Sequence, residues 1–391
     1  MSRLKICWFQ AATLERLSVN EPTHSNLDIS QKRLREDPDS QPRRVACHFF
    51  DPDLAKNFKF SLPRLNGASG SATYILSRPH STQKHILKEL PRNISLEKIA
   101  WTQKFSHWLR TSGYAVTPIA TSCRVNGRRP QCFSPMIASD CDGTYWQCIE
   151  FMEGSPRKTP TTQDVHVAVK AVAALHCQAK SFTTPRPQGL TGWQRRVRQL
   201  SSIMLSPRVL PKKSNRPEPS NAEVRALCEQ FDKVLRSPDV VRALTRMIAH
   251  RMPTMQVPVL QDCWWGHIFF SKTQQRITGI IDLDSASRDD PAVDMARLLG
   301  SWQIENALCS EKLIDLWPEA FEIYKQTYRC NPDFSRRVQR LHDTAIVCGL
   351  DRWFSWILIE NRQFLNMPWV MERIRRLFLA TPHALRRLGA H

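Results

Sequence analysis

Six aspartates stand in the stretch VLQDCWWGHIFFSKTQQRITGIIDLDSASRDDPAVDMARLLGSW, Val259 to Trp302. Around them run three apolar segments: Val257 to Leu260, Ile268 to Phe270 and Ile277 to Leu283. The last two flank the polar SKTQQR and read as a β-hairpin. Asp262 follows the first segment and Asp282 ends the third, so both belong at strand ends on the rim of a core. Two carboxylates brought together there are costly unless a cation or strong donors meet them. A divalent metal with a phosphate ligand meets that cost, because a hard cation takes carboxylate oxygen.

The elements that must position these groups are legible along the chain. Residues 1–45 are polar, charged and proline-bearing, without sustained periodicity, and read as a poorly ordered arm. From 46 the segments around NGASGSATYIL and KHILKEL read as strands, the first with a Gly-Ser turn. SLEKIAWTQKFSHWLRTSG is an amphipathic helix with Ser95 as cap and Gly113 as stop. YAVTPIATS, RRPQCFSPMIAS and GTYWQCIEFMEG read as further strands, the last ending at Gly154-Ser155-Pro156, a turn and candidate hinge. Beyond it the chain is helical except for the carboxylate-bearing strands. The Pro-rich, basic 207–221 reads as a surface loop, and NAEVRALCEQFDKVLRSPDVVRALTRMIAHRM reads as helix. Segregated strands and helices predict an α+β fold.

The carboxylate run resembles the catalytic segment of the aminoglycoside phosphotransferase-like kinases, relatives of choline kinases and protein kinases. That family carries H-G-D-x-x-x-x-N-[IL]-[LF], a hairpin, [IV]-I-D-[FLW]-[GED], then G-D-P-x-x-D-[LM]-A. Here the chain reads L-Q-D-C-W-W-G-H-I-F, a hairpin, I-I-D-L-D, then D-D-P-A-V-D-M-A, with Asp262, Gly266, Ile268, Asp282, Pro291, Asp294 and Ala296 in register. NGASGSATYIL takes the place of the glycine-rich loop, CIEFMEG that of the hinge strand, and VAALHCQ that of the helix ending in Leu-His. The resemblance spans about 60 to 305. It implies a bilobal protein-kinase-like fold, with a small β-rich N-lobe (46–152) that binds nucleotide. A larger, mainly helical C-lobe (153–391) would carry the catalytic segment and the acceptor site.

The roles implied follow residue by residue. Asp262 would orient or deprotonate the acceptor hydroxyl, and Asp282 would hold Mg²⁺ on the phosphates of ATP. Lys88 would contact those phosphates and pair with Glu97. Gly67, Ser69 and Gly70 would cover the phosphates, and Glu150 and Met152 would lie at the hinge beside the nucleotide. Asp294 would brace the catalytic loop, and Asp284 would face the metal or cap its turn. Two positions depart from the family. Leu260 replaces a bracing His. His267 replaces the metal-binding Asn, and its imidazole offers nitrogen, which Mn²⁺ or Zn²⁺ accept better than Mg²⁺, in place of an amide oxygen; either the site runs on one metal through Asp282, or His267 donates a hydrogen bond to a phosphate.

The resemblance implies an ATP-dependent phosphotransferase acting on a small-molecule hydroxyl acceptor. Asp351 and Glu360, in GLDRWFSWILIENRQF, are candidates for meeting a cationic acceptor, with solvated helix carboxylates as the alternative. His267, Leu260 and the pair Trp264-Trp265 motivate a rival reading, a catalytically degenerate nucleotide-binding protein. A net charge of +20 motivates a second rival, nucleic-acid binding. The Lys and Arg are spread out rather than gathered in one stripe, so no specific nucleic-acid partner is expected. No run of 18 or more apolar residues is present, so no membrane span is expected. The 12 cysteines contain no C-x-x-C pair, and no secretory segment opens the chain. Reduced thiols and a cytoplasmic location are the expectation.

Overall fold

Short alternating runs between Lys59 and Glu150 build an antiparallel sheet. The structure is a computed structural model that describes residues 41–61, 72–91, 94–114, 116–121, 136–185, 189–205, 219–249, 256–305, 310–362, 364 and 366–389. Helices α1 (Gln41–Ala46) and α2 (Pro52–Lys56) lead into β1 (Lys59–Ser61), β2 (Thr73–Ser77) and β3 (Lys84–Glu89). After helix α3 (Leu96–Thr111) come β4 (Ala138–Ser139) and β5 (Tyr145–Glu150). The strand order is β1-β2-β3-β5-β4. Register places Lys88 of β3 opposite Gln147 of β5, so the two side chains share one face of the sheet. Phe49, Phe58, Phe60, Leu76, Leu87 and Trp146 pack the core beneath it, each burial stabilising by roughly 1.5–3 kcal/mol. Val45 and Ala46 of α1 belong to that core. Order therefore begins before residue 46, and the arm boundary expected at 45 falls inside a helix; residues 1–40 lie outside the described residues.

Helix α3 starts where expected, with Ser95 Oγ accepting from Lys98 N at 3.2 Å, and stops at Gly113, which has φ +91°. Its buried Trp101, Phe105 and Leu109 join the core of the larger lobe, with Phe182 5.6 Å from Trp101 and 5.2 Å from Phe105.

The helical lobe contains β6 (Ser155–Pro156), α4 (Thr162–Ala179), α5 (Gly192–Leu205), α6 (Pro219–Leu235) and α7 (Pro238–Ala249). Then follow β7 (Val257–Val259), β8 (Ile268–Phe270), β9 (Ile277–Ile280), β10 (Ser287–Asp289), α8 (Ala292–Glu305) and α9 (Ser310–Thr327). Helix α10 (Phe334–Phe354) ends in a π-helical turn, Ser355–Ile359, and α11 (Met367–Gly389) closes the fold. This is the bilobal α+β arrangement expected. The hairpin of β8 and β9 is present and takes β6 as a third strand. The first apolar segment, β7, pairs instead with β10, a strand without an apolar alternation to announce it. Two further expectations are corrected. Among its described residues YAVTPIATS contributes a bridge from Ala120 to Ile149 rather than a strand, and the helix read across 221–252 is broken before Pro238, whose ring cannot continue it. Between the lobes Gly154 has φ +115°, and a Cβ there would run into Thr278 Oγ1 and lie 2.6 Å from the Phe270 carbonyl oxygen. Only glycine fits that crossing. Among the described residues no helix is long and apolar enough to cross a membrane.

Candidate active site

Strands β3 and β5 bring one face of the N-lobe sheet down onto the end of β9. Lys88 Nζ lies 2.6 Å from Asp282 Oδ1 and 2.7 Å from Asp284 Oδ2. Its cross-strand neighbour Gln147 donates from Nε2 to Asp284 Oδ1 at 3.0 Å. Asp282 adopts φ 60°, ψ 60°, the left-handed region, at a cost of roughly 1–3 kcal/mol for a residue with a Cβ. That turn lets carboxylates two residues apart both face Lys88.

The loop carrying Asp262 is held from behind. Asp294, at the start of α8, accepts from Leu260 N and Gln261 N, each at 2.7 Å. Its Oδ2 also lies 3.0 Å from His176 Nε2, whose Nδ1 is 2.7 Å from the Tyr324 hydroxyl. Asp294 braces the loop, as its register position implied. Gln261, itself at φ 63°, donates to Asp289 Oδ2 at 2.9 Å. Asp262 then projects into the cleft, where Arg297 Nε donates to its Oδ1 at 2.8 Å.

His267 joins the two aspartates. Its Nδ1 lies 2.9 Å from the Asp262 carbonyl oxygen. A carbonyl only accepts, so Nδ1 carries a proton; in the neutral form of the ring Nε2 presents its lone pair. Nε2 stands 3.5 Å from Asp282 Oδ2, beyond ordinary hydrogen-bond length. One ligand atom from each of Asp262, His267 and Asp282 lies within 4.8 Å of the others. Two carboxylates and an imidazole nitrogen suit a divalent cation, with the nitrogen better matched to Mn²⁺ or Zn²⁺ than to Mg²⁺. Trp264 packs edge-on against His267, with ring centroids 5.2 Å apart. Gly266 admits that packing, since a Cβ there would lie 2.6 Å from the Trp264 ring.

Burial pushes the Asp262 carboxyl up, but Arg297 and His267 outweigh it and hold the group below the ordinary carboxylate range. Burial acts likewise on Asp282, where Lys88 and His267 outweigh it. Burial pulls the Lys88 ammonium down, and Asp284 and Asp282 more than reverse that. At neutral pH Asp262, Asp282 and Lys88 are all charged.

The other expected site residues go elsewhere or remain undescribed. Glu97 is exposed in the first turn of α3 and makes no contact with Lys88; Asp284 takes that place. Glu150 pairs with Arg110 at 2.6 Å. Met152 is buried, and its Cβ would lie 2.7 Å from a Cβ on Gly279. Gly67, Ser69 and Gly70 lie outside the described residues. Asp351 accepts from Gln199 at 3.0 Å and Glu360 from Arg362 at 2.8 Å, so both candidate acceptor-facing acids are engaged. Arg297 and Gln147 are cleft residues that the sequence reading missed. For Arg297 a signal existed: it sits three residues after Asp294, on the same face of α8.

A family model described as the phosphotransferase enzyme family (APH) matches residues 62–336, well over half the chain. The chain belongs to the phosphotransferase enzyme family. Solved structures that share its fold include three named small-molecule kinases. A microcompartment-associated aminopropanol kinase is 13% identical, with a TM-score of 0.58, covering 94% of this chain and 99% of that one. An amicoumacin kinase in complex with AMP-PNP, Ca²⁺ and its ligand is 12% identical, TM-score 0.58, covering 90% and 96%. The ethanolamine kinase of Plasmodium vivax is 12% identical, TM-score 0.52, covering 86% and 87%. At these identities the likeness is one of fold. Comparison with curated proteins finds no match.

Proposed function

We propose that the chain transfers the γ-phosphoryl group of ATP to a hydroxyl of a small molecule. The observation that carries this reading is the convergence of Lys88, Asp282, His267 and Asp262 from separate elements on one cleft. The structural relatives named for phosphorylating aminopropanol and ethanolamine, and one bound to AMP-PNP, support it.

In this reading Asp282 and His267 hold a divalent ion, which when bound neutralises charge on the nucleotide phosphates. Lys88 leaves Asp282 and Asp284 to contact phosphate oxygens. Asp262 accepts a hydrogen bond from the acceptor hydroxyl and receives its proton as the O–Pγ bond forms and the bond to the ADP oxygen breaks. Arg297 keeps Asp262 ionised. A weak base suffices, because phosphoryl transfer through a loose transition state depends on position and charge more than on base strength.

A second reading, a nucleotide-binding protein without turnover, is favoured by one observation: the Arg297 guanidinium occupies one oxygen of Asp262. Melting of the protein with ATP and either Mg²⁺ or Mn²⁺, beside Asp282→Ala, tests binding by mass action. ADP release with candidate alcohols tests turnover. A metal-dependent rise in melting temperature that the variant loses supports the kinase site. No rise with any metal and nucleotide refutes it, and a rise without ADP release over the acceptors tried favours the second reading.

A further inference from the structure

The guanidinium beside Asp262 is only partly used. Arg297 reaches the cleft from α8, three residues after Asp294, whose carboxylate holds the amides of Leu260 and Gln261. The arginine and the catalytic loop are therefore fixed to one helix. Arg297 Nε donates to Asp262 Oδ1 at 2.8 Å, and the guanidinium carbon stands 6.0 Å from the ring centroid of Trp264. Two residues of the same loop thus hold the group. Both Arg297 and Asp262 are half-buried. Among the described residues Nη1 and Nη2 make no hydrogen bond, Asp262 Oδ2 accepts none, and Arg297 has no second acid partner. The pair presents a forked donor next to an open acceptor oxygen.

In the kinase reading the acceptor hydroxyl approaches that open oxygen, and the γ-phosphoryl group must come within bonding reach of the hydroxyl. A carboxylate and a phosphoryl group then become neighbours in a half-buried cleft. Like charges brought together there need a cation that faces both. Lys88 serves the other end of the cleft, on Asp282 and Asp284. Arg297 is the one lysine or arginine paired with Asp262 among the described residues. A planar guanidinium can keep a carboxylate on Nε and offer its other N–H groups to phosphoryl oxygens.

We propose that Arg297 is a catalytic residue whose Nη donors contact the γ-phosphoryl group of ATP as it passes to the acceptor hydroxyl. This rests on the kinase reading of Asp262. The hydroxyl oxygen bonds to Pγ while the bond from Pγ to the ADP oxygen breaks, its electron pair leaving with ADP. The hydroxyl proton passes to Asp262 Oδ2. Arg297 keeps its own protons and donates hydrogen bonds to the phosphoryl oxygens, whose charge is spread in a loose transition state. The pairing with Asp262, which taken alone would block the carboxylate, anchors the guanidinium for this contact.

Calorimetry of AMP-PNP and of ADP binding to the full chain in Mn²⁺ tests this without a known acceptor. Arg297→Gln should weaken AMP-PNP by about tenfold and ADP by less than about twofold. Arg297→Lys should show a smaller loss in the same ratio. Repeating Arg297→Gln beside Asp262→Asn separates a direct contact from an effect through the carboxylate, and the AMP-PNP loss should persist there. Equal losses for the two nucleotides, or no loss, overturn the proposal. So does a loss that vanishes beside Asp262→Asn, which leaves Arg297 a positioning residue. ADP release by Arg297→Gln faster than by wild type also overturns it, because Arg297 would then be the block that the second reading requires. Wild type that binds neither nucleotide removes the kinase reading and the proposal with it, whereas an unmoved ratio removes the proposal alone. Thermal melting of each variant confirms that folded proteins are compared.

Discussion

Asp289, Asp290 and Asp294 have side chains 0%, 1% and 0% exposed, whereas those of Asp262, Asp282 and Asp284 are 36%, 35% and 20% exposed. The two sets differ in partners as well as in depth. The interior set accepts from backbone: Asp294 from Leu260 and Gln261, Asp290 from Ala292, Asp289 from Gly192 and Asp290. Arg337, 3.0 Å from Asp290, adds a buried cation to that set. The cleft set is met by the side chains of Lys88, Arg297 and Gln147. Backbone donors cannot be withdrawn without unfolding a turn, but a lysine can move off a carboxylate when a phosphate arrives. A carboxylate built to hold the fold is recognised by backbone donors, and one built to hold a ligand by side-chain cations and residual exposure.

The strongest test of that contrast replaces the cleft acids by their isosteres. Asp262→Asn and Asp282→Asn should each lower turnover by about 10³-fold or more, roughly 4 kcal/mol of barrier. Their melting temperatures should stay near wild type. ADP release and thermal melting on the same preparations check this; collapse of either variant would place the cleft set with the structural one.

The reverse pattern is expected from the interior. Asp294→Ala leaves two loop amides and His176 without their acceptor, and losing one partner of such a buried network costs roughly 3 kcal/mol. Denaturant unfolding should show that loss directly, with activity falling because the Asp262 loop is no longer held. A variant of wild-type stability would mean that the loop is braced by other contacts.

The sequence made the carboxylate run legible because its spacing is local: Asp262, Asp282 and Asp294 lie on strand ends and one helix start set within 33 residues. What it hid are pairings made across the lobes. Lys88 and Asp284 are remote in sequence, and nothing local says that Asp284 rather than Glu97 meets the lysine. The apolar face of α3 reads equally well against either lobe, and only the packing of Trp101 and Phe105 on Phe182 decides it. Strand β10, Ser-Arg-Asp, exists because β7 needs a partner, so its own residues carry no signal.

Acid should reach the interior before the cleft. Burial pushes His342 down to about 3, so the folded protein keeps it neutral while the unfolded chain protonates it near 6.5. The unfolded state then binds more protons, and stability present above pH 6.5 is lost progressively as pH falls toward 3. Between pH 7 and 5 the loss amounts to about 2 kcal/mol. Asp262 and Asp282, held below the ordinary carboxylate range, remain ionised over that interval. Unfolding curves at the two pH values, for wild type and His342→Gln, measure it; a variant as acid-sensitive as wild type would exonerate His342.

The smallest effect concerns the residue that joins the two cleft aspartates. If His267 Nε2 is a ligand, activity or nucleotide-dependent stabilisation should favour Mn²⁺ over Mg²⁺ in the wild type. His267→Asn, which offers an amide oxygen, should then move that preference toward Mg²⁺ by about tenfold or less, under 1.4 kcal/mol. The Nδ1 contact to the Asp262 carbonyl is lost in the same substitution, so absolute activity is a poor readout, whereas the ratio of the two metals cancels any general loosening of the loop. An unchanged ratio in a folded variant would make His267 a brace of the Asp262 loop and move it to the interior class, leaving Asp282 to hold the metal with Asp262 alone among the three.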